Sequence, residues 1–188
     1  MPSINKAFLQ TLQDHYTQFP TFIETGTYNG DTIFSVEPLF TSLYTIEYSN
    51  KYYTNTKAKY KGDKIQFLLG DSSLVFIDLL PTIQTPAIFF LDGHWSSGDT
   101  GKSAKEVPLY EEVQCIASRF THSAILIIDD FRLFGQSPRT MKNLGEDWSD
   151  ISKDKIIGIL KDRVERVYHL DSDKAKNDRL IIHIKQLL

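Results

Sequence analysis

Residues 164–185, VERVYHLDSDKAKNDRLIIHIK, contain two segments rich in apolar and β-branched residues, at 164–170 and 178–185. Only the short polar stretch DSDKAKN separates them. A connection of this length cannot hold the crossover helix that joins parallel strands, so the two strands are expected to pair antiparallel. This stretch therefore predicts a sheet that finishes with an antiparallel strand.

Strand and helix patterns alternate through the rest of the chain. Strands are predicted at 21–26, 42–49, 65–71, 86–93 and 123–131, and helices at 3–17, 31–40, 50–60, 72–80, 105–120 and 153–163. The segments 86–93 and 123–131 are apolar without alternation, which indicates strands buried on both faces. The pattern predicts an α/β fold with a mostly parallel, seven-stranded sheet, right-handed crossovers and helices on both faces.

Composition favours a single globular domain over residues 1–188, with an N-terminal helix at 1–19 and a core at 20–188. The net charge is −3, and no basic stripe is visible, so a nucleic-acid partner is not expected. No apolar run is long enough for a membrane helix, so no membrane partner is expected either. A single cysteine, Cys115, is consistent with a reducing compartment such as the cytoplasm.

Ligands of open α/β sheets bind at the carboxyl ends of the strands, so the residues after each strand are the candidates for function. After the first strand, ETGTYNGDT supplies Glu24, Gly26 and Gly30, without the spacing of a dinucleotide fingerprint. Glu47 follows the second strand and could bind ribose hydroxyls or be a solvated acid. Asp71 follows the third, where it could face an adenine amino group or cap the next helix.

The fourth and fifth strands deliver Asp92, Gly93 and His94, and Asp129 and Asp130. Carboxylates at the ends of buried strands must be paired, protonated or bound to metal. Three of them suit Mg²⁺ or Mn²⁺, whereas ion pairs with Arg132 or Lys102 are the alternative. His94 could act as a general base or be a hydrogen-bonded structural histidine.

Together these motifs resemble class I S-adenosyl-methionine-dependent methyltransferases, which implies a Rossmann-like, doubly wound fold with S-adenosyl-methionine (SAM) as methyl donor. In that resemblance ETGTYNG is the cofactor loop, with Glu24 toward the methionine amine, IEY supplies the ribose acid Glu47, and GDSS supplies the adenine side. The cofactor-binding residues that it implies are Glu24, Gly26, Thr27, Tyr28, Gly30, Thr32, Glu47, Tyr48, Asp71, Ser72 and Asp92.

The sequences LDGHW and IIDDF resemble those of cation-dependent O-methyltransferases that act on sugars. The resemblance implies metal ligands at Asp92, Asp129 and Asp130, and catalytic roles for Asp92 and His94. Where catechol-type members have a lysine, this chain has Trp95, which argues against a catechol acceptor.

The expected reaction is metal-assisted methylation of a hydroxyl on a small molecule or glycan, in a pocket formed by loops 93–105 and 134–150. Trp95 and Trp148 could stack on a sugar ring or pack within these loops. The acceptor site is either open or completed by a second subunit in a homodimer. The alternatives are a phenol O-methyltransferase, a nicotinamide-dependent oxidoreductase, disfavoured by the missing fingerprint, and a non-catalytic binding or accessory domain.

Overall fold

The computed structural model describes residues 3–93, 107–138 and 146–187. Its strands are β1 (Thr21–Thr25), β2 (Ser42–Glu47), β3 (Ile65–Leu69), β4 (Ala87–Leu91), β5 (Ala124–Ile128), β6 (Val164–Leu170) and β7 (Arg179–Ile184). They form one sheet in the order β3-β2-β1-β4-β5-β7-β6. Strands β1 to β5 are parallel, and β7 runs antiparallel to both β5 and β6. The predicted sheet and its antiparallel final strand are confirmed.

Helices cover both faces of this sheet, as predicted. They are α1 (Lys6–Leu9), α2 (Asp31–Val36), α3 (Asn50–Lys59), α4 (Ser72–Leu79), α5 (Leu109–Arg119) and α6 (Lys153–Leu160). One apolar core joins α4, α5 and α6 to the sheet through residues such as Phe76, Phe89 and Ile116. A second core on the opposite face includes Leu9, Phe22 and Ile33. Strands β4 and β5 are buried along their whole length, which explains their continuous apolar sequences. Strand β1 is equally buried although it carries Thr21, Glu24 and Thr25.

The prediction of a long N-terminal helix at 3–17 is wrong. The segment forms the single turn α1 and, after a break, a 3₁₀ turn at Tyr16–Gln18. Asn5 caps α1 by accepting a hydrogen bond from the backbone N–H of Phe8 at 3.0 Å. The apolar periodicity reflected burial against the sheet, not a continuous helix.

Contacts with the last two strands explain this break. Asp14 accepts a hydrogen bond from the guanidinium of Arg166, and its Oδ2 lies 2.8 Å from Nδ1 of His183. The backbone N–H of Gln13 donates to the Tyr168 hydroxyl at 3.0 Å. These contacts hold Gln13 and Asp14 against β6 and β7. Tertiary contacts of this kind override local helix propensity.

Two other helices end earlier than predicted. The helix predicted at 31–40 stops at Val36 and continues as a 3₁₀ turn, Glu37–Leu39, which contains Pro38. The helix predicted at 153–163 stops at Leu160, because Lys161 adopts a positive φ of 51°.

A buried arginine fastens the end of α5 to the end of the sheet. Arg163 is 5% exposed, and its guanidinium donates to backbone carbonyls on two separate segments. The acceptors are Ile116 (3.0 Å), Ala117 (3.3 Å), Phe120 (2.7 Å), His122 (2.8 Å) and Lys185 (3.0 Å). One side chain thus satisfies carbonyls that the end of the helix leaves without an intrahelical partner.

We expect Arg163→Met to lower the free energy of unfolding by about 2–4 kcal/mol, because it leaves several buried carbonyls unpaired. Urea denaturation followed by circular dichroism measures the change. Arg119→Met, on the exposed surface of α5, is the matched control and should change stability by less than about 0.5 kcal/mol. Equal effects of the two substitutions would contradict this role for Arg163.

Candidate active site

The turn after β1 is built on two glycines in the left-handed region. Gly26 has a φ of +86° and Gly30 a φ of +82°, and the N–H of Gly30 donates to the carbonyl of Thr27 at 2.8 Å. A Cβ on Gly26 would lie 2.5 Å from the carbonyl oxygen of Asp92. Glycine is therefore required where this turn crosses the residues that follow β4.

Glu24 is a carboxyl buried beneath this turn. It is 1% exposed and accepts a hydrogen bond from the Thr45 hydroxyl at 2.7 Å. Burial raises the pKa of Glu24 to about 8, the hydrogen bond from Thr45 opposes this rise, and the nearby Asp92 and Glu47 add to it. Without a cation beside it, the carboxyl is protonated at neutral pH, and a positively charged ligand group would favour its ionised form.

Glu47, at the end of β2, is held by two backbone amides. Its Oε2 accepts from the N–H of Tyr28 and its Oε1 from the N–H of Ser49, both at 2.8 Å. The first of these bonds fastens the glycine turn to the next strand. Each carboxylate oxygen has a second lone pair, so the arrangement still allows Glu47 to accept from a ligand hydroxyl.

The other residues predicted around the cofactor loop have separate places. Thr27 is buried, and its hydroxyl lies 2.5 Å from that of Thr45. The rings of Tyr28 and Tyr48 are 50% and 45% exposed beside the glycine turn. The hydroxyl of Thr32 accepts from the N–H of Ser3 at 3.1 Å, so its described contact is with the N-terminal segment.

Asp71 and Ser72 lie where β3 passes into α4. Asp71 is the N-cap of this helix, and its Oδ1 accepts from the N–H and the hydroxyl of Ser73 at 3.0 and 2.6 Å. The capping alternative for Asp71 is therefore confirmed. The hydroxyl of Ser72 donates to Oε1 of Glu112 at 2.5 Å.

Glu112 was missed by sequence reasoning, although it is 2% exposed at this edge of the sheet. Helical spacing placed it on the same face of α5 as Leu109, Val113 and Ile116, which are buried. An acid on an apolar helix face was the available signal, because a buried carboxyl needs specific partners.

Asp92 follows β4 directly. Its backbone N–H donates to the Thr25 hydroxyl at 3.3 Å, and its charge contributes to the raised pKa of Glu24. His94, the predicted base, lies outside the described residues, as do Trp95 and Lys102. The catalytic roles of Asp92 and His94 stay predictions.

The acids after β5 are surrounded by cations. Asp130 accepts from Arg132 at 2.5 Å and from Lys174 at 3.1 Å. Asp129 accepts from Arg179 at 3.2 Å. Burial raises the pKa of Asp129, and Arg179 opposes that rise. Asp130 thus forms the ion pair with Arg132 that was the alternative to a metal site.

A third acid, Asp178, joins this group. Its carboxylate accepts from the side chain of Arg132 at 2.5 Å, and the carboxylates of Asp129, Asp130 and Asp178 come within 4.8 Å of one another. Among the described residues, three cationic side chains already neutralise these three acids. That donor set does not fit a divalent ion unless the ion displaces an arginine or lysine, so the predicted metal ligands Asp92, Asp129 and Asp130 stay a prediction.

A small pocket opens between the ends of β4 and β5. Its lining residues are Leu91, Gly93, Val107, Pro108, Leu109, Glu112, Ile128, Asp129 and Trp148. Trp148 is 2% exposed, its ring stacks on Phe134, and its Nε1 donates to Glu146 at 2.7 Å. Trp148 therefore packs within its loop, and its ring offers no open face for stacking on a sugar.

Comparison with known proteins gives a result at the level of fold. No protein-family model matches the sequence, and no curated protein matches it. The O-methyltransferase TomG from Streptomyces achromogenes, involved in tomaymycin synthesis and solved with SAM, is 13% identical, with a TM-score of 0.60 over 90% of this chain and 74% of that chain. The fold is that of SAM-dependent methyltransferases.

Other solved structures with this fold are named for different acceptors. An rRNA methylase from Streptococcus thermophilus is 15% identical, with a TM-score of 0.54 over 91% of this chain and 89% of that chain. The N-methyltransferase NodS from Bradyrhizobium japonicum WM9 is 11% identical, with a TM-score of 0.54 over 89% and 86%. The fold therefore does not select among oxygen, nitrogen and RNA acceptors. Within the described residues, no helix combines the length and apolar character needed to cross a membrane.

We expect Gly26→Ala to destabilise the protein by about 2 kcal/mol or more, because the new Cβ meets the Asp92 carbonyl in a backbone conformation that alanine disfavours. Gly158→Ala is the matched control. Gly158 lies in α6, and no atom approaches within 4 Å of its added Cβ, so this change should stabilise by about 0.5–1 kcal/mol. Urea denaturation of both variants measures the contrast, and a Gly26→Ala protein as stable as the wild type would refute the close crossing.

The titration of Glu24 predicts a specific pH dependence of stability. The folded protein keeps this proton up to a pH of about 8, whereas the unfolded chain loses it near pH ~4.3. The free energy of unfolding contributed by this group therefore falls as the pH rises between those values. Glu24→Gln cannot titrate, so the difference in stability between wild type and variant should change steadily from pH 5 to pH 8. Urea denaturation at four pH values measures this difference. A constant difference in the free energy of unfolding between the two proteins would disprove the titration of Glu24.

Proposed function

We propose that the protein is a SAM-dependent methyltransferase that methylates a hydroxyl group of a sugar or glycan. The observation that carries the proposal is Glu24, a buried carboxyl without a cationic side chain among its described hydrogen-bond partners, beneath a turn whose glycines allow close approach. A ligand ammonium would neutralise this carboxyl, and the methionine part of SAM carries one.

The order of polar side chains along the edge of the sheet fits the ribose and the adenine of SAM. Glu47, fixed by two amides on β2, is the proposed acceptor for the ribose hydroxyls. Ser72 lies one strand further out, at the start of α4, on the proposed adenine side. The proposed wall of the cofactor site beside Glu47 consists of Gly26, Thr27, Tyr28, Gly30 and Tyr48. Asp92 lies close enough to Glu24 to raise the pKa of that carboxyl, and its chain neighbours Leu91 and Gly93 line the pocket between β4 and β5.

The bound donor would supply a methyl group on a sulfonium, which an acceptor oxygen attacks as the carbon–sulfur bond breaks and its electron pair returns to sulfur. The protein holds the acceptor in line with that bond, which supplies much of the rate by proximity. His94, next to Gly93 in sequence, is the proposed base for the hydroxyl proton. Asp92 is proposed to orient the acceptor beside it.

The pocket has room for about one water molecule, so its lining is proposed as one wall of the acceptor site. Two carboxyls, Glu112 and Asp129, border it together with the apolar side chains of Leu91 and Ile128. Carboxylates accept from hydroxyl donors, and apolar walls suit the C–H faces of a sugar ring. Among the described residues, three cationic side chains neutralise the acids after β5, so a divalent ion at Asp92, Asp129 and Asp130 would have to displace one of them, and the proposed roles of Glu24, Glu47 and His94 need no such ion.

Calorimetric titration with SAM tests the cofactor site directly. Wild-type protein should bind SAM, and Glu24→Gln and Glu47→Gln should each weaken binding by about tenfold or more, the cost of losing a charge-assisted hydrogen bond. Glu165→Gln, on the exposed surface of β6, should bind as the wild type does. Wild-type affinity should also rise between pH 6 and pH 9 as Glu24 ionises, and this rise should be absent from Glu24→Gln.

Failure to bind SAM at millimolar concentration would overturn the proposal and favour a non-catalytic binding domain. For the acceptor, methyl transfer is measured over monosaccharide glycosides and phenols, each with Mg²⁺ and with EDTA. Transfer to glycosides that persists in EDTA is the expected result. Transfer to phenols alone would refute the sugar acceptor, and complete loss in EDTA would restore the metal at Asp92, Asp129 and Asp130.

A further inference from the structure

Glu112 links the two halves of the proposed site. It lies in the first turn of α5, where its Oε1 accepts from the Ser72 hydroxyl at 2.5 Å. The same oxygen would be 3.0 Å from a Cβ on Gly93, so it also lies beside the turn after β4. One buried carboxyl is therefore placed between the proposed adenine side and the turn after β4.

The bond from Ser72 to Glu112 fixes the polarity of the serine. In this structure the Ser72 hydroxyl is the donor and Oε1 of Glu112 the acceptor, and a hydroxyl has a single hydrogen to give. Since that hydrogen is directed to Glu112, the remaining capacity of the Ser72 oxygen is as an acceptor. A ligand group that meets this oxygen must then be a donor.

Asp71 does not duplicate this role through the oxygen that caps α4. Its Oδ1 accepts twice from Ser73, once from the backbone and once from the side chain. The start of the helix fixes that oxygen, so Ser72 is the better placed group to discriminate among purine edges.

We propose that Glu112 is a positioning residue that makes the nucleoside pocket select a 6-amino purine over a 6-oxo purine, by obliging Ser72 to accept. The inference rests on the proposed function, because it takes the ligand to be an adenosyl compound with its base at Ser72. A 6-oxo group would place two acceptors against each other, and sites built for a polar partner strongly reject ligands that lack it.

The test compares binding of S-adenosyl-homocysteine with binding of its inosine analogue, S-inosyl-homocysteine, by calorimetry. Wild-type protein should prefer the adenosyl compound by at least about tenfold. In Glu112→Leu, the Ser72 hydroxyl loses its acceptor, and its hydrogen is free to donate to a 6-oxo group. We expect the adenosyl preference of this variant to fall below about threefold.

Ser72→Ala is the second variant, and it keeps the test decisive if Glu112→Leu does not fold. Removing the hydroxyl should likewise reduce the preference to below about threefold. Glu111→Gln, one residue away on the same helix, is the matched control and should keep the wild-type preference. Thermal unfolding of each protein separates a change in selectivity from a loss of structure. A loss of structure would weaken the binding of both ligands together.

The possible failures are distinguishable. If wild-type protein binds neither compound, the proposed methyltransferase function is overturned. If it binds S-adenosyl-homocysteine but discriminates equally in the wild type and in both variants, the role of Glu112 is overturned and the cofactor site stands. A wild type that binds both compounds equally would also refute the selection.

Discussion

A close backbone contact joins the turn after β1 to the turn after β4. Gly26 has no room for a side chain against the Asp92 carbonyl, and Gly93 has none between Thr25 and Glu112. The two turns touch because β1 and β4 are adjacent, parallel and in register. The proposed cofactor loop and acceptor turn are consequently one unit, and moving either displaces the other. A methyl group and its acceptor need this kind of fixed separation.

The same edge of the sheet collects several carboxyls, most of them buried, and the fold stabilises them by different routes. Glu24 keeps a proton, Glu47 receives two amides, and Asp71 caps a helix. Asp129 and Asp130 receive arginine and lysine side chains. For Glu24, Glu47, Asp129 and Asp130, burial makes such a partner or a proton necessary, because an isolated buried charge is costly. Glu24 has no cationic side chain among its described hydrogen-bond partners, and an arriving cation would favour its ionised form over the protonated one.

Sequence periodicity predicted the sheet well because β4 and β5 are buried on both faces and β6 and β7 are separated by too short a connection for a crossover. It failed at the N-terminus, where apolar spacing is the same for a helix and for irregular chain packed on a sheet. The strand ends predicted that Glu24, Glu47 and Asp71 lie at one edge of the sheet, and they do, whereas their roles in binding stay predictions. They could not reveal Glu112, which reaches this edge from a helix, or the cations Lys174 and Arg179, which come from the far end of the chain. Long-range pairing of this kind leaves no local pattern.

The position of β7 has a consequence for the order in which the protein can fold. This strand lies between β5 and β6, although it is the last of the seven in the chain. During synthesis, the outer edge of β5 therefore stays open after β6 has been made, and β6 has no strand beside it. An open, apolar edge is a template for pairing with another chain. The sheet is closed only when its final strand inserts, so the interval before that insertion is when aggregation competes with folding.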